Sequence, residues 1–549
     1  MHLPASQPDN TKRHKLMWGL AGLSLVWVVF NLSTLTRYPT VTCDEAFYAR
    51  TALNYFRGVM SGSGWPHSGI NFYFLYGRLY WLMLGAMLTF ATHSIFAARL
   101  VSLFGWAVLI ILTYILGQKY VSVSVGRWAA VLMACAWVPM FSGHLTRPDI
   151  WAAAASILTL IVYRYALSPD AKRRWSILLG IALAVGFLFH PIDLHITMSV
   201  LLLITVEFLL RRRYARFLTV VGTFAVAMLL IGWMNLGIRG PEIIGKLILH
   251  PLATLQDYNL AGALTGAPKS SPLDVLILAG ASFASFWWHY YAWYAPIISL
   301  PQGFLSVAGL GCGLFGRNSY LRRLAIVILV SSGTFAIVNF GYTLAGYALQ
   351  WMPIYFVLGV SATDQYLDPI PIAAWSQMRW VELALSSLVA VSVVGSIHLG
   401  LLNPAGDYKS ISGRLGKIIR PQTRVLASSN WWFALPKNIE LIDETSIVPK
   451  FTGLWWNSVP DEEVGSLTPI LPNGSLLPDL RRLFMSQDGP DYVLSDGGFA
   501  CLTIGGDSSG PLTSELAMIV NETCSPIDTI ETHSYGTLAL YDCRSNSAK

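Results

Sequence analysis

Three short stretches carry side chains that could do chemistry together: Asp44-Glu45, Arg147-Pro148-Asp149 and His190-Pro191-Ile192-Asp193. A carboxylate that can take a proton from a hydroxyl, set beside cations that can hold a phosphate, suits displacement of a lipid-phosphate leaving group by an alcohol. In that reading Asp44, Glu45 and Asp149 are the catalytic candidates, Arg147 and His190 hold the donor phosphate, and Tyr48, Arg78, Asp193 and His250 line the site. Plainer roles compete: Asp149 and Asp193 suit helix caps or turns, and His190 suits an interfacial histidine. His250 could join the site or bind a metal, but no HxxH or HExxH spacing accompanies it, so no metal ligand is assigned. No cofactor is implied, and a divalent cation is left open.

The elements that must position these residues follow from composition. Of 549 residues, 54% are hydrophobic and only 12% charged, against roughly 25% charged in soluble proteins. A soluble protein is excluded, and repeated apolar runs of about 20 residues point to a polytopic membrane protein. The net charge of +7 does not indicate nucleic acid. Its basic residues lie in short clusters at the ends of apolar runs, where they set orientation.

The first run follows Lys12-Arg13-His14-Lys15 and ends without a small-residue cleavage site, so it is expected to be an uncleaved helix that starts in the cytoplasm. The clusters around Lys119 and Arg127, Lys172–Arg174, Arg211–Arg216 and Arg317–Arg323 are expected on the same side. That parity requires Tyr76–Thr92 to lie along the outer interface instead of crossing. The crossings are then about 16–36, 96–117, 126–143, 149–167, 174–190, 192–210, 215–236, 291–315, 323–341, 345–362 and 380–402. About 11 transmembrane helices put the C-terminus outside. Leu273–Tyr290 becomes a second interfacial segment or half of a further hairpin, and the aromatics Phe286–Tyr291 suit either interface anchoring or stacking on a sugar or prenyl chain.

Topology sorts the scarce carboxylates. Glu207 and Glu382 fall near cytoplasmic ends, where pairing with Arg211 or Arg379 explains them, whereas Asp44, Asp149 and Asp193 converge on the outer side. The division is therefore 1–402, a transmembrane domain with a first outer loop at 37–95, and 403–549, an extracytoplasmic soluble α/β domain. That tail contains short β-like runs at 425–428, 439–442, 492–495 and 538–541 separated by turn residues. Three of the six cysteines, Cys501, Cys524 and Cys543, lie in it. A disulfide is expected if it faces an oxidising compartment, Cys524 to Cys543 first, although spacing does not fix connectivity. Sequons at Asn473 and Asn521 fit an outside placement without proving it.

Asp44-Glu45-Ala46-Phe47-Tyr48-Ala49 after a first helix, Phe96-Ala97-Ala98-Arg99-Leu100 opening the next, and Arg147-Pro148-Asp149 resemble the GT-C glycosyltransferases of the protein O-mannosyltransferase and lipid A aminoarabinose transferase type. The motifs cover about the first 200 residues and the layout covers the rest. The resemblance implies transfer of a sugar, with inversion, from a polyprenyl-phosphate donor to a protein, lipid or glycan acceptor at the outer face of a bacterial or archaeal plasma membrane. By position, Asp44 matches the first-loop aspartate that binds or deprotonates the acceptor, and Asp149 the second acidic position. The chain departs from relatives that carry a Glu-Lys or Glu-His pair late in the first loop, since Asn71–Tyr76 is uncharged, and His190 stands where some carry a phosphate-binding Lys. The competing class is a transporter or flippase of a lipid-linked sugar, which calls for midplane carboxylates and internal repeats. No such repeat is visible. A non-catalytic membrane anchor would not need so many crossings.

Overall fold

In the computed structural model, residues 24–57, 78–91, 94–236, 296–338, 345–367, 380–402, 407–436, 439–443, 481, 484–485, 489–496, 511–532 and 536–544 are described. His250, Leu273–Tyr290 and Asn71–Tyr76 lie outside them. Apolar runs become helices because every backbone N–H and C=O must be satisfied within its own segment in lipid. The first is α1 (Ser24–Thr34). It is followed by α2 (Cys43–Phe56), α3 (Arg78–Phe90), α4 (Ile95–Tyr120), α5 (Val123–Cys135), α6 (Trp137–Gly143) and α7 (Asp149–Ala166). Then come α8 (Arg173–Val185), α9 (Leu194–Leu210), α10 (Tyr214–Leu236), α11 (Pro296–Phe315), α12 (Ser319–Val338), α13 (Met352–Leu367) and α14 (Trp380–Leu402).

Each of the expected crossings carries helix. Among the described residues, three stretches, Ile95–Tyr120, Tyr214–Ile231 and Val381–His398, are by themselves long and apolar enough to cross a membrane, and the α5–α6 pair, bent by 59°, is a fourth candidate. The α3 helix has 13 residues, about 20 Å at 1.5 Å per residue, which is short of a bilayer core. It buries Tyr80, Trp81, Leu84 and Leu88 by packing on α2 and α4.

The bend between α5 and α6 has a local cause and a local remedy. Ala136 is extended, at φ −68° and ψ 140°, which breaks the ladder and frees the last carbonyls of α5. Three helices supply donors. Trp106 Nε1 on α4 donates to Met133 O at 3.0 Å, Trp27 Nε1 on α1 to Ala134 O at 2.9 Å, and Ser396 Oγ on α14 to Cys135 O at 3.0 Å. The broken span thus ties α1, α4 and α14 together. At the α4–α5 turn the backbones approach so closely that a Cβ on Gly117 would stand 2.6 Å from Gly126 Cα, as small residues permit in membrane helix contacts.

Beyond α14 lie α15 (Asp407–Ile418) and a five-stranded mixed sheet of order β2-β1-β3-β5-β4. Its strands are β1 (Arg424–Ala427), β2 (Glu440–Asp443), β3 (Tyr492–Asp496), β4 (Ser525–Thr532) and β5 (Gly536–Asp542), with α16 (Pro511–Thr523) against one face. The strand β1 runs parallel to β2 and β3, while β5 runs antiparallel to β3 and β4. Four strands were expected and a fifth, β4, is present. It is an exposed edge strand with Pro526 near its start, and its polar sequence carries no alternating apolar signal. Cys524 and Cys543 are disulfide-bonded, joining the end of α16 to the end of β5. The sheet touches the helical body through the 3-10 turn Ser429–Trp431, which packs on α2, and through Arg50 Nη2, which donates to Leu441 O at 3.1 Å.

Candidate active site

The helix α2 begins at the right place because Glu45, three residues beyond Thr42, reaches back to accept the Thr42 N–H at 3.2 Å, one half of a capping box. The same carboxylate is committed elsewhere. Its Oε1 accepts from Arg99 Nε at 2.8 Å and from Thr146 N at 2.8 Å, and its Oε2 from Arg99 Nη2 at 2.7 Å. Arg99 Nη1 donates to Leu35 O at 2.8 Å. Both side chains of this ion pair are fully buried. Neighbours on a helix point about 100° apart, so Asp44 faces outward while Glu45 faces the core. Glu45, expected beside Asp44 in the chemistry, is placed in the core: it fixes α2, α4 and the 144–148 loop relative to one another, and its side chain is fully buried.

Holding Thr146 sets Arg147. Its backbone N–H lies 3.4 Å from Ser102 Oγ, which donates to Arg147 O at 3.3 Å. The guanidinium then bridges two carboxylates, with Nε donating to Asp149 Oδ2 at 2.7 Å and Nη1 donating to Asp44 Oδ2. Burial opposes the charge of Arg147, but the adjacent Asp149 and Asp44 outweigh it and hold the group above its ordinary pKa. Two rings flank this cation, its Cζ lying 5.7 Å from the centroid of Tyr48 and 6.0 Å from that of Tyr347, and the His190 ring lies 5.9 Å from that of Tyr347. His190 accepts the Ile192 N–H at Nδ1, at 3.2 Å, which leaves Nε2 as the nitrogen that carries a proton in the neutral ring.

The accessibilities differ in a way that matters. The Asp44 side chain is 47% exposed, whereas those of Arg147 and Asp149 are 9% and 3%. Asp149 Oδ1 is buried and accepts no hydrogen bond. Of the carboxylates in the cluster, Asp44 is therefore the accessible one.

Five expected site residues, Asp44, Tyr48, Arg147, Asp149 and His190, come together. Asp193 does not join them. Its carboxylate receives Ser156 Oγ and Thr197 Oγ1, the latter at 3.0 Å, so it locks the start of α9 to the middle of α7. Ser156 lies seven residues along α7 from Asp149, about 10 Å deeper. Arg78, at the first residue of α3, sits over Tyr55 on α2, 5.7 Å from the ring centroid, about three turns from Asp44. Tyr347, on the 3-10 turn Ala345–Gln350, was missed, and no local pattern marks it. Arg99 was quoted as part of a motif but given no role, although an arginine opening an apolar helix signals a buried partner. Among the described residues no group of three or more His, Cys, Asp or Glu is placed to hold a metal ion.

No family model matches the chain, and no curated protein does. Solved structures do. The apo crystal structure of ArnT from Cupriavidus metallidurans superposes with a TM-score of 0.60 at 13% identity, covering 97% of this chain and 99% of that one. This chain shares the fold of that protein. The ArnT structure bound to undecaprenyl phosphate matches with a TM-score of 0.55 at 13% identity, over 95% of this chain and 98% of that one. The Archaeoglobus fulgidus oligosaccharyltransferase in complex with zinc and sulfate matches at 0.51 and 12% identity, over 94% of this chain and 73% of that chain. The likeness in fold spans the tail as well as the helices, so it reaches well beyond the motifs of the first 200 residues.

Proposed function

We propose that this chain is a membrane glycosyltransferase that moves a sugar from a polyprenyl-phosphate donor to an acceptor hydroxyl, with inversion, at the membrane edge where α2 and α7 begin. The observation that carries the reading is the Asp44–Arg147–Asp149 cluster, assembled from stretches 103 residues apart in sequence on a fold shared with a protein bound to undecaprenyl phosphate. The donor phosphate takes the place of Asp44 on Arg147, with His190 Nε2 as a second donor. Asp149 stays on Arg147 Nε and keeps the fork aimed. Donor binding thus frees Asp44 Oδ2 to meet the acceptor hydroxyl. Asp44 takes the acceptor hydroxyl proton as the oxygen attacks the anomeric carbon. The bond from that carbon to the phosphate oxygen breaks, and Arg147 neutralises the charge that develops on the departing phosphate.

The charge pattern supports a division at about residue 402, with 1–402 in the membrane and 403–549 outside, the N-terminus being cytoplasmic. The acceptor is a protein, lipid or glycan hydroxyl. A neighbour's complex with zinc keeps a divalent cation compatible with the fold. Here the cation between the two carboxylates is Arg147 itself, and no step above runs through a metal. The reading is tested by incubating the purified protein with a panel of polyprenyl-phosphate sugars and acceptors. Release of polyprenyl phosphate that needs both acceptor and Asp44 supports it, and movement of an intact lipid-linked sugar across vesicles without release supports the flippase instead.

A further inference from the structure

The end of the helical body opposite Asp44 holds a second charged cluster that the transfer chemistry does not use. The helix α7 has 18 residues, about 27 Å at 1.5 Å per residue, and runs from Asp149 to this far end. There Glu207 on α9 is paired with Arg323 on α12, accepts Tyr163 OH at 3.4 Å, and lies 3.7 Å from Arg211. Arg323 and Arg164 share one ring, that of Tyr320, their Cζ atoms lying 5.0 Å and 3.8 Å from its centroid. Two guanidinium groups, those of Arg323 and Arg211, therefore face the Glu207 carboxylate, and a third, that of Arg164, stacks on the ring beside them. Arg164 Nε and Arg323 Nη1 are buried and donate no hydrogen bond. A buried guanidinium N–H without an acceptor is costly, and the excess of positive charge makes it more so. Glu207 Oε2 is likewise buried without a hydrogen bond, and three guanidinium groups outnumber this one carboxylate, so the charge balance favours a further anion.

We propose that Arg164, Arg211 and Arg323 form a binding site for the phosphate of an anionic membrane lipid. Basic pockets between helices at a membrane edge hold lipid phosphates in this manner, and the planar fork of arginine suits the two oxygens of a phosphodiester. The surroundings favour a lipid over free phosphate: Leu209, Leu210 and Tyr214 beside Arg211 are exposed, which gives acyl chains an apolar wall next to the charged group. This edge is the one that the positive-inside pattern puts in the cytoplasm. The site is thus separate from the donor site on the other face, and it does not rest on the transferase reading.

The test uses the full-length protein in detergent and follows bound lipid by native mass spectrometry, with phosphatidylglycerol, phosphatidylcholine and inorganic phosphate as probes. Phosphatidylglycerol is expected to bind on the order of tenfold better than phosphatidylcholine. Arg164→Gln, which leaves the Glu207–Arg323 pair in place, is expected to erase that preference. Equal binding of the two lipids by the wild-type protein overturns the proposal, as does a preference that survives Arg164→Gln. Competition by inorganic phosphate as effective as that of phosphatidylglycerol overturns the lipid assignment. The wild-type comparison needs no variant, so poor folding of Arg164→Gln would not shelter the proposal.

Discussion

Glu45 and Arg99, 54 residues apart in sequence, meet in a two-bond ion pair with neither side chain exposed. The pair also takes the N–H of Thr42 and Thr146 and the carbonyl of Leu35, so three segments around the proposed catalytic cluster depend on it. Removing one partner leaves an uncompensated buried charge, at a cost of about 3–5 kcal/mol. Glu45→Ala is expected to lower the thermal unfolding temperature in detergent and to reduce transfer with it. Wild-type unfolding combined with lost transfer would return Glu45 to the chemistry.

Gly186 lies against the Asp193 carboxylate, and a Cβ there would overlap it. Gly186→Ala must push Asp193 off Ser156 and Thr197, at a cost of about 1–3 kcal/mol. The expected result is a lower unfolding temperature with near-normal donor affinity, because Asp193 stands apart from Arg147. Lost affinity at unchanged stability would instead place Asp193 in the site.

The Cys524–Cys543 bond closes a separation of 19 residues, for which chain-entropy arguments give about 3 kcal/mol. Cys524→Ser should lower the unfolding temperature in non-reducing buffer. In reductant the variant and the wild type should converge. A persistent difference in reductant means that packing, and not the bond, accounts for the effect.

Arg147→Lys keeps a charge but cannot reach two carboxylates with a planar fork. Donor KM should rise by about tenfold or more and kcat should fall, since both the phosphate contact and its aim are lost. An unchanged donor KM would argue that the phosphate binds elsewhere.

What was legible in the sequence tracks the strength of the local signal. Apolar runs marked the helices, and β1, β2, β3 and β5 showed as short apolar runs between turn residues. The polar edge strand β4 gave no such signal. The convergence of Asp44, Arg147, Asp149 and His190 could be read from scarcity, because few charged residues remain on one side of a membrane protein. The separation of Asp44 from Glu45 was not legible, since an adjacent acidic pair reads as one feature until the 100° turn of the helix points its members apart. Tyr347 beside Arg147 and Arg164 over Tyr320 join segments distant in the chain, so no local spacing encodes them.

The central claim is that the donor phosphate replaces Asp44 on Arg147. Binding of undecaprenyl phosphate to the purified wild type, Asp44→Asn and Arg147→Gln, measured by native mass spectrometry or calorimetry, tests it most directly. Asp44→Asn, which removes the competing carboxylate, should bind several-fold tighter than the wild type while losing sugar transfer by about 10²-fold or more, and Arg147→Gln should lose binding. Undiminished binding by Arg147→Gln, or weaker binding by Asp44→Asn, would contradict the account.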